Sequence, residues 1–112
     1  MDLRPVLDYM ERNADAPLTP HILARVGCMS VRTLHDTFHH EVGTSAMAYL
    51  RGIRLDHVRT ELLRGAASGR TVTDIAMRWG FFHPSRFAQQ YRERFGELPS
   101  ETLRTYWKGQ RA

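Results

Sequence analysis

The chain states its helical plan twice, and this repeat limits the fold more than any other feature. A segment around Ile22-Leu23-Ala24 leads through a turn to a segment carrying Leu34, Phe38 and Gly43. Later, Ile75-Ala76 leads through a turn to Phe87, Tyr91 and Gly96. The offset is 52 residues at Ala24/Ala76 and Cys28/Gly80, and 53 at Leu34/Phe87, Phe38/Tyr91 and Gly43/Gly96. The second turn must therefore hold one extra residue. Each copy reads as a short helix, a tight turn and a second helix, the plan of a helix-turn-helix. Sustained period-two alternation and Asn-Gly hairpin turns are absent, so strands are not expected. The fold class is all-α, with about seven helices in homeodomain-like three-helix units.

Local signals place the helices. Leu3 to Asn13 puts Val6, Leu7 and Met10 on one stripe. Thr19-Pro20 is a helix start, with Thr as N-cap and Pro at the first helical position; Ile22, Leu23 and Val26 supply its buried face. Ser30 caps a third helix to about Val42, where Val31, Leu34, Phe38 and Val42 share a side and Gly43 stops it. Thr44 or Ser45 caps a long fourth helix. Its apolar residues spread over more than one stripe, from Met47 to Leu62 and Leu63. Gly65 to Gly69 is the hinge candidate. Thr71-Val-Thr-Asp74 reads as a capping box. His83-Pro84 opens a sixth helix ending at Gly96, and Leu98-Pro99-Ser100 opens a short last one carrying Leu103 and Tyr106–Trp107. The expected division is 1–44 for the first unit, 45–66 for a linker helix and 67–112 for the second. Twenty-two linker residues span roughly 33 Å at about 1.5 Å each, close to the roughly 34 Å turn of B-DNA.

Composition narrows the functional class. At 112 residues the chain is too short for most doubly wound or barrel enzymes. The expected setting is reduced and cytoplasmic, on the nucleoid, with no membrane partner: the chain has no membrane-length apolar run and no leader, and its single cysteine excludes an internal disulfide. Residues 1–67 balance eight basic against eight acidic residues, whereas 68–112 hold eight against four. Fifteen of the sixteen basic residues are Arg, which suits bidentate contact with phosphate or guanine. No Ser/His/Asp order, paired carboxylates or phosphate-cradling glycine loop marks an enzyme, and no cofactor is expected.

The ordered residues Leu23-Ala24, Met29-Ser30-Val31-Arg32-Thr33-Leu34, Phe38, Gly43, Tyr49-Leu50, Arg54-Leu55 and Leu62-Leu63 carry a likeness to a known family. Val72-Thr73-Asp74-Ile75-Ala76, Trp79-Gly80-Phe81, Ser85-Arg86-Phe87, Tyr91, Phe95-Gly96 and Pro99-Ser100 continue it. With these residues the chain resembles the DNA-binding domain of the AraC/XylS family of bacterial transcription regulators. The resemblance implies two helix-turn-helix subdomains joined by a linker helix, double-stranded DNA as partner, and regulation of transcription, more often activation. It also implies RNA polymerase as a partner and a separate effector-binding and dimerisation domain before this one. Cys28 departs from the Gly usual in the first turn, and His83 from the usual Asp or Ser cap.

The family's base-reading positions, carried over by the motif, fall on Arg32, His35, Asp36 and His39, and on Pro84, Ser85, Ala88 and Gln89. A helical wheel with Leu34/Phe38 and Phe87/Tyr91/Phe95 inward selects Arg32, Asp36, His39, Ser85 and Gln89 independently. Arg32 suits guanine O6 and N7 and Gln89 adenine N6 and N7, whereas Asp36 either accepts from cytosine N4 or simply repels nearby phosphates. Pro84 and Ala88 offer only apolar contact, for instance to a thymine methyl. Ser30, Thr33, His40, Arg86 and Arg92, with the amides opening each recognition helix, suit phosphate. Histidines that gain a proton in mildly acidic solution would strengthen binding there. His35 and His39 have an i, i+4 ligand spacing, but no third ligand is recognisable, so no metal is expected. Cys28 reads as a small packed turn residue, and Trp79, Phe81 and Trp107 as core. The rival class is a helical protein-interaction module that has lost DNA binding, favoured by Asp36 and the balanced first half.

Overall fold

Seven helices and no strand make up the described residues of the computed structural model, which are 2–65 and 69–111, with side chains as far as Thr105. In order they are α1 (Arg4–Arg12), α2 (Pro20–Val26), α3 (Val31–Glu41), α4 (Ala46–Leu63), α5 (Val72–Arg78), α6 (Pro84–Phe95) and α7 (Pro99–Arg111). The expected all-α class is what is found. The chain divides into two compact units, Met1–Ile53 and Arg54–Ala112, and the division falls within α4.

The first unit packs α1 on α2 and α2 on α3. Its core holds Leu3, Val6, Met10, Leu18, Leu23, Leu34, Phe38, Ala46, Leu50 and Ile53. Burying each large aliphatic or aromatic side chain contributes roughly 1.5–3 kcal/mol, so these residues outweigh local propensity in fixing the unit. Ile22 and Val26 of α2 are half-buried, and Ala24 takes the inner place beside Leu23. The second unit gathers Leu55, Val58, Leu62, Ile75, Ala76, Phe87 and Tyr91, with Trp79, Phe81, Phe95 and Leu103 packed against them. One buried polar contact sits among them: the Tyr91 and Thr102 hydroxyls lie 2.7 Å apart.

Four helix starts have the expected hydroxyl caps. Thr19, Ser30, Ser45 and Thr71 accept from the amides of Ile22, Thr33, Ala48 and Asp74. Thr71 and Asp74 form a reciprocal box, the Thr71 amide donating to Asp74 Oδ2 at 3.1 Å. His83 occupies the N-cap position of α6 but makes no side-chain capping bond.

The two interhelical turns are built alike. Cys28 and Met29 donate backbone hydrogen bonds to Arg25 and Ala24, and Gly80 and Phe81 donate to Met77 and Ala76. Both sets are the bonds of a Schellman closure, which needs a left-handed residue just past the helix. Gly80 supplies it at φ +90° and Cys28 at φ +54°. Four residues separate α2 from α3 and five separate α5 from α6, so the extra residue is where the changed offset puts it.

Several expectations are corrected. Cys28 is exposed, not packed, because the left-handed closure turns its side chain to solvent. The last helix is not short: α7 runs for 13 residues, anchored by buried Thr102. Tyr106–Trp107, expected among its packed residues, lie outside the described side chains, as do residues 66–68 of the hinge candidate. The fourth helix ends at Leu63 as expected, but it accounts for 18 of the 22 linker residues, about 27 Å at ~1.5 Å per residue, so its length alone does not equal one duplex turn. Leu63 at its end is 42% exposed.

Candidate nucleic-acid interface

Burial sorts each second helix into two faces. On α3, Leu34 and Phe38 are buried, whereas Arg32, His35, Asp36, His39 and His40 are exposed. On α6, Phe87 and Tyr91 are buried, and Pro84, Ser85, Arg86, Gln89 and Arg92 are exposed. Thr33 and Ala88 are half-buried on the flanks. Each helix thus presents its expected residues together on its own outward face, held by the core on the opposite side.

The polar atoms differ in how far they are already engaged. Ser30 Oγ accepts the Thr33 amide at 3.0 Å and donates to Thr33 Oγ1 at 3.0 Å, so the cap of α3 is largely satisfied within the chain. The opening turn of α6 has no side-chain cap and begins with Pro84. Gln89 donates to Glu93 Oε1 at 3.3 Å, one turn further along. The His35 and His39 rings meet edge to face at 4.4 Å. No group of three or more His, Cys, Asp or Glu suited to a metal gathers among the described residues.

The guanidiniums are also divided. Among the described residues Arg4, Arg12, Arg78 and Arg94 are in ion pairs, whereas Arg32, Arg86 and Arg92 are in none of them. Arg94 makes two bonds of 2.9 Å to the Asp56 carboxylate, which raises its pKa further. It serves the fold of its unit. Arg78 pairs with Glu61, which also accepts from the Trp79 indole, and that indole stacks on His57 at 4.4 Å. Trp79 is therefore packed and hydrogen-bonded rather than offered to a base.

Two exposed apolar residues, Met77 and Phe82, escaped the sequence pattern. Phe82, between Gly80 and α6, is 66% exposed, while its neighbour Phe81 packs on Phe87 with ring centroids 5.0 Å apart. The adjacent Phe81-Phe82 pair was the available signal, since only one of the two rings packs on the core.

The comparisons agree with this architecture. A helix-turn-helix domain family matches residues 23–105. The chain is 45% identical over 103 residues to a protein named "Probable thc operon regulatory protein" from Rhodococcus erythropolis, covering 92% of this chain and 31% of that protein. It is 40% identical over 99 residues to "XylDLEGF operon transcriptional activator 1" from Pseudomonas putida, covering 88% and 30%. It therefore spans less than a third of the length of these relatives. A crystal structure described as a probable AraC family transcriptional regulator from Rhodopseudomonas palustris superposes with a TM-score of 0.88 at 38% identity, covering 93% of this chain and 95% of that one. A domain match over most of the residues, tandem Schellman-closed turns and relatives that are transcription regulators rather than enzymes lead to one assignment: the chain belongs to the AraC/XylS family of DNA-binding helix-turn-helix transcription regulators.

Proposed function

We propose that the chain reads a specific double-stranded DNA sequence with α3 and α6 in successive major-groove segments, and that this reading activates transcription. The observation that carries it is the pairing of one turn closure, used twice, with one free outward face on each following helix. In this reading residues 1–44 and 67–112 are the two readers and 45–66 the linker. Arg32, His35, Asp36 and His39 face bases from α3, and Ser85, Ala88 and Gln89 from α6. Ser30, Thr33, His40, Arg86 and Arg92 meet phosphates, which position the protein without specifying sequence. The relative named a transcriptional activator supports activation, and activation implies contact with RNA polymerase. The greater length of the relatives supports a further domain beyond this one; an effector-binding and dimerisation role for it, and its place before this domain, are what the family resemblance implies.

Selection of bound duplexes from a random library tests the reading. The expected result is a bipartite site, with Arg32→Ala abolishing preference in one half and Gln89→Ala in the other. Each good bidentate contact is worth about 1–3 kcal/mol of discrimination. Failure to shift any duplex at low salt would replace this reading with the helical interaction module.

A further inference from the structure

The α6 end of the second unit carries an apolar surface that base-edge hydrogen bonding does not use. A cavity of about 240 Å³ opens there, lined by residues of α5, the following turn and the starts of α6 and α7. Phe82 and Met77, 66% and 50% exposed, are among its lining residues. Pro84 and Ala88 line it too, and both also belong to the first two turns of α6, beside outward Ser85 and Gln89.

We propose that Phe82, with Pro84 and Ala88, forms a shoulder that recognises the 5-methyl group of thymine in the major groove met by α6. The proposal rests on the DNA-reading function above and deepens it. The chemistry of the shoulder selects this ligand. Phe and Ala side chains have no hydrogen-bonding atom, and Pro lacks even the backbone N–H. Of the marks that base pairs display in the major groove, only the thymine methyl is apolar. No carboxylate lines the cavity. Arg86 and Arg92 on the same helix are exposed and outside the ion pairs of the described residues, so phosphates near this helix are met by positive charge. Counted on the sequence, the unit from Arg54 onward holds eleven basic and six acidic residues. A duplex therefore suits this surface better than an apolar protein partner would.

The test uses the 112-residue chain and the duplex it selects. Thymines in the half-site whose preference Gln89→Ala removes are replaced one at a time by deoxyuridine, which deletes the methyl and keeps every hydrogen-bonding group. At one or two positions affinity is expected to fall about fourfold, the worth of one buried methyl. Phe82→Ala is expected to bind the thymine duplex about as weakly as the native chain binds the uracil duplex, and to treat the two alike. Phe82→Leu, still apolar, keeps the discrimination. Uracil tolerated at every position of that half-site overturns the proposal, as does Phe82→Ala weakening both duplexes equally. Selection of no sequence by the native chain is a different result, and it removes the DNA-reading function itself.

Discussion

At the scale of single residues, the informative position is Cys28. A side chain in the left-handed region costs roughly 1–2 kcal/mol through crowding of its Cβ, and Cys28 holds φ +54° in a closure that its counterpart Gly80 makes freely. Cys28→Gly should stabilise the chain by about 1 kcal/mol, read as a higher urea midpoint, whereas Cys28→Val should lower it. The neighbouring Gly27 answers to space rather than angle: a Cβ there would meet Val6 Cγ2 and Met29 Cε at 2.8 Å each. Tyr91 offers a pH test. Burial pushes its phenol above the ordinary value, against the hydrogen bond to Thr102. The folded state thus keeps its proton longer than the unfolded one, so the contribution is complete below about pH 10 and is lost as pH rises through the folded value. Tyr91→Phe should cost about 1 kcal/mol near neutrality by leaving the Thr102 hydroxyl unpartnered, while making the alkaline decline in melting temperature shallower. Composition and periodicity find Tyr91 as a core residue. They do not find Thr102, because a polar residue gives no apolar signal until its partner is located.

At the scale of elements, capping decides where helices begin, and here local chemistry was most legible. Thr19, Ser30, Ser45 and Thr71 cap as their spacing requires, because a hydroxyl three residues ahead of an amide needs no tertiary contact to bond it. Thr71→Ala should destabilise the second unit by about 1 kcal/mol, measured as a loss of unfolding midpoint. Its box partner Asp74 is held below the usual carboxylate range, first by the Thr71 amide and then by its hydroxyl. That contribution is present above the unfolded value and is lost as pH falls; Asp74→Asn should flatten this part of the acid unfolding curve. Helix ends and turn residues were less legible. The length of α7 depends on Thr102 docking beside Tyr91, and the exposure of Cys28 and Phe82 depends on turn dihedrals, which side-chain pattern does not encode. The outward faces of α3 and α6 were readable because burying Leu34/Phe38 and Phe87/Tyr91 leaves those positions nowhere else to point.

For the whole molecule, charge separates the two units. Counted on the sequence, residues 1–53 hold five basic and six acidic residues, and the rest hold eleven and six. The second unit should therefore supply most of the salt-dependent affinity. Arg86→Ala and Arg92→Ala should each reduce the slope of log affinity against log salt by about 1, while Asp36→Asn should raise affinity for random duplex by removing a charge that repels phosphate. Because Arg32 and Gln89 belong to different units, their losses of binding free energy should add within about 0.5 kcal/mol, measured by titration of the selected site.

The exposed Cys28 is the only thiol in the sequence. A maleimide dye added to the unaltered chain therefore attaches at one place, two residues ahead of the Ser30 cap of α3. Its emission can follow the arrival of a duplex at the first unit alone, with no cysteine introduced or removed.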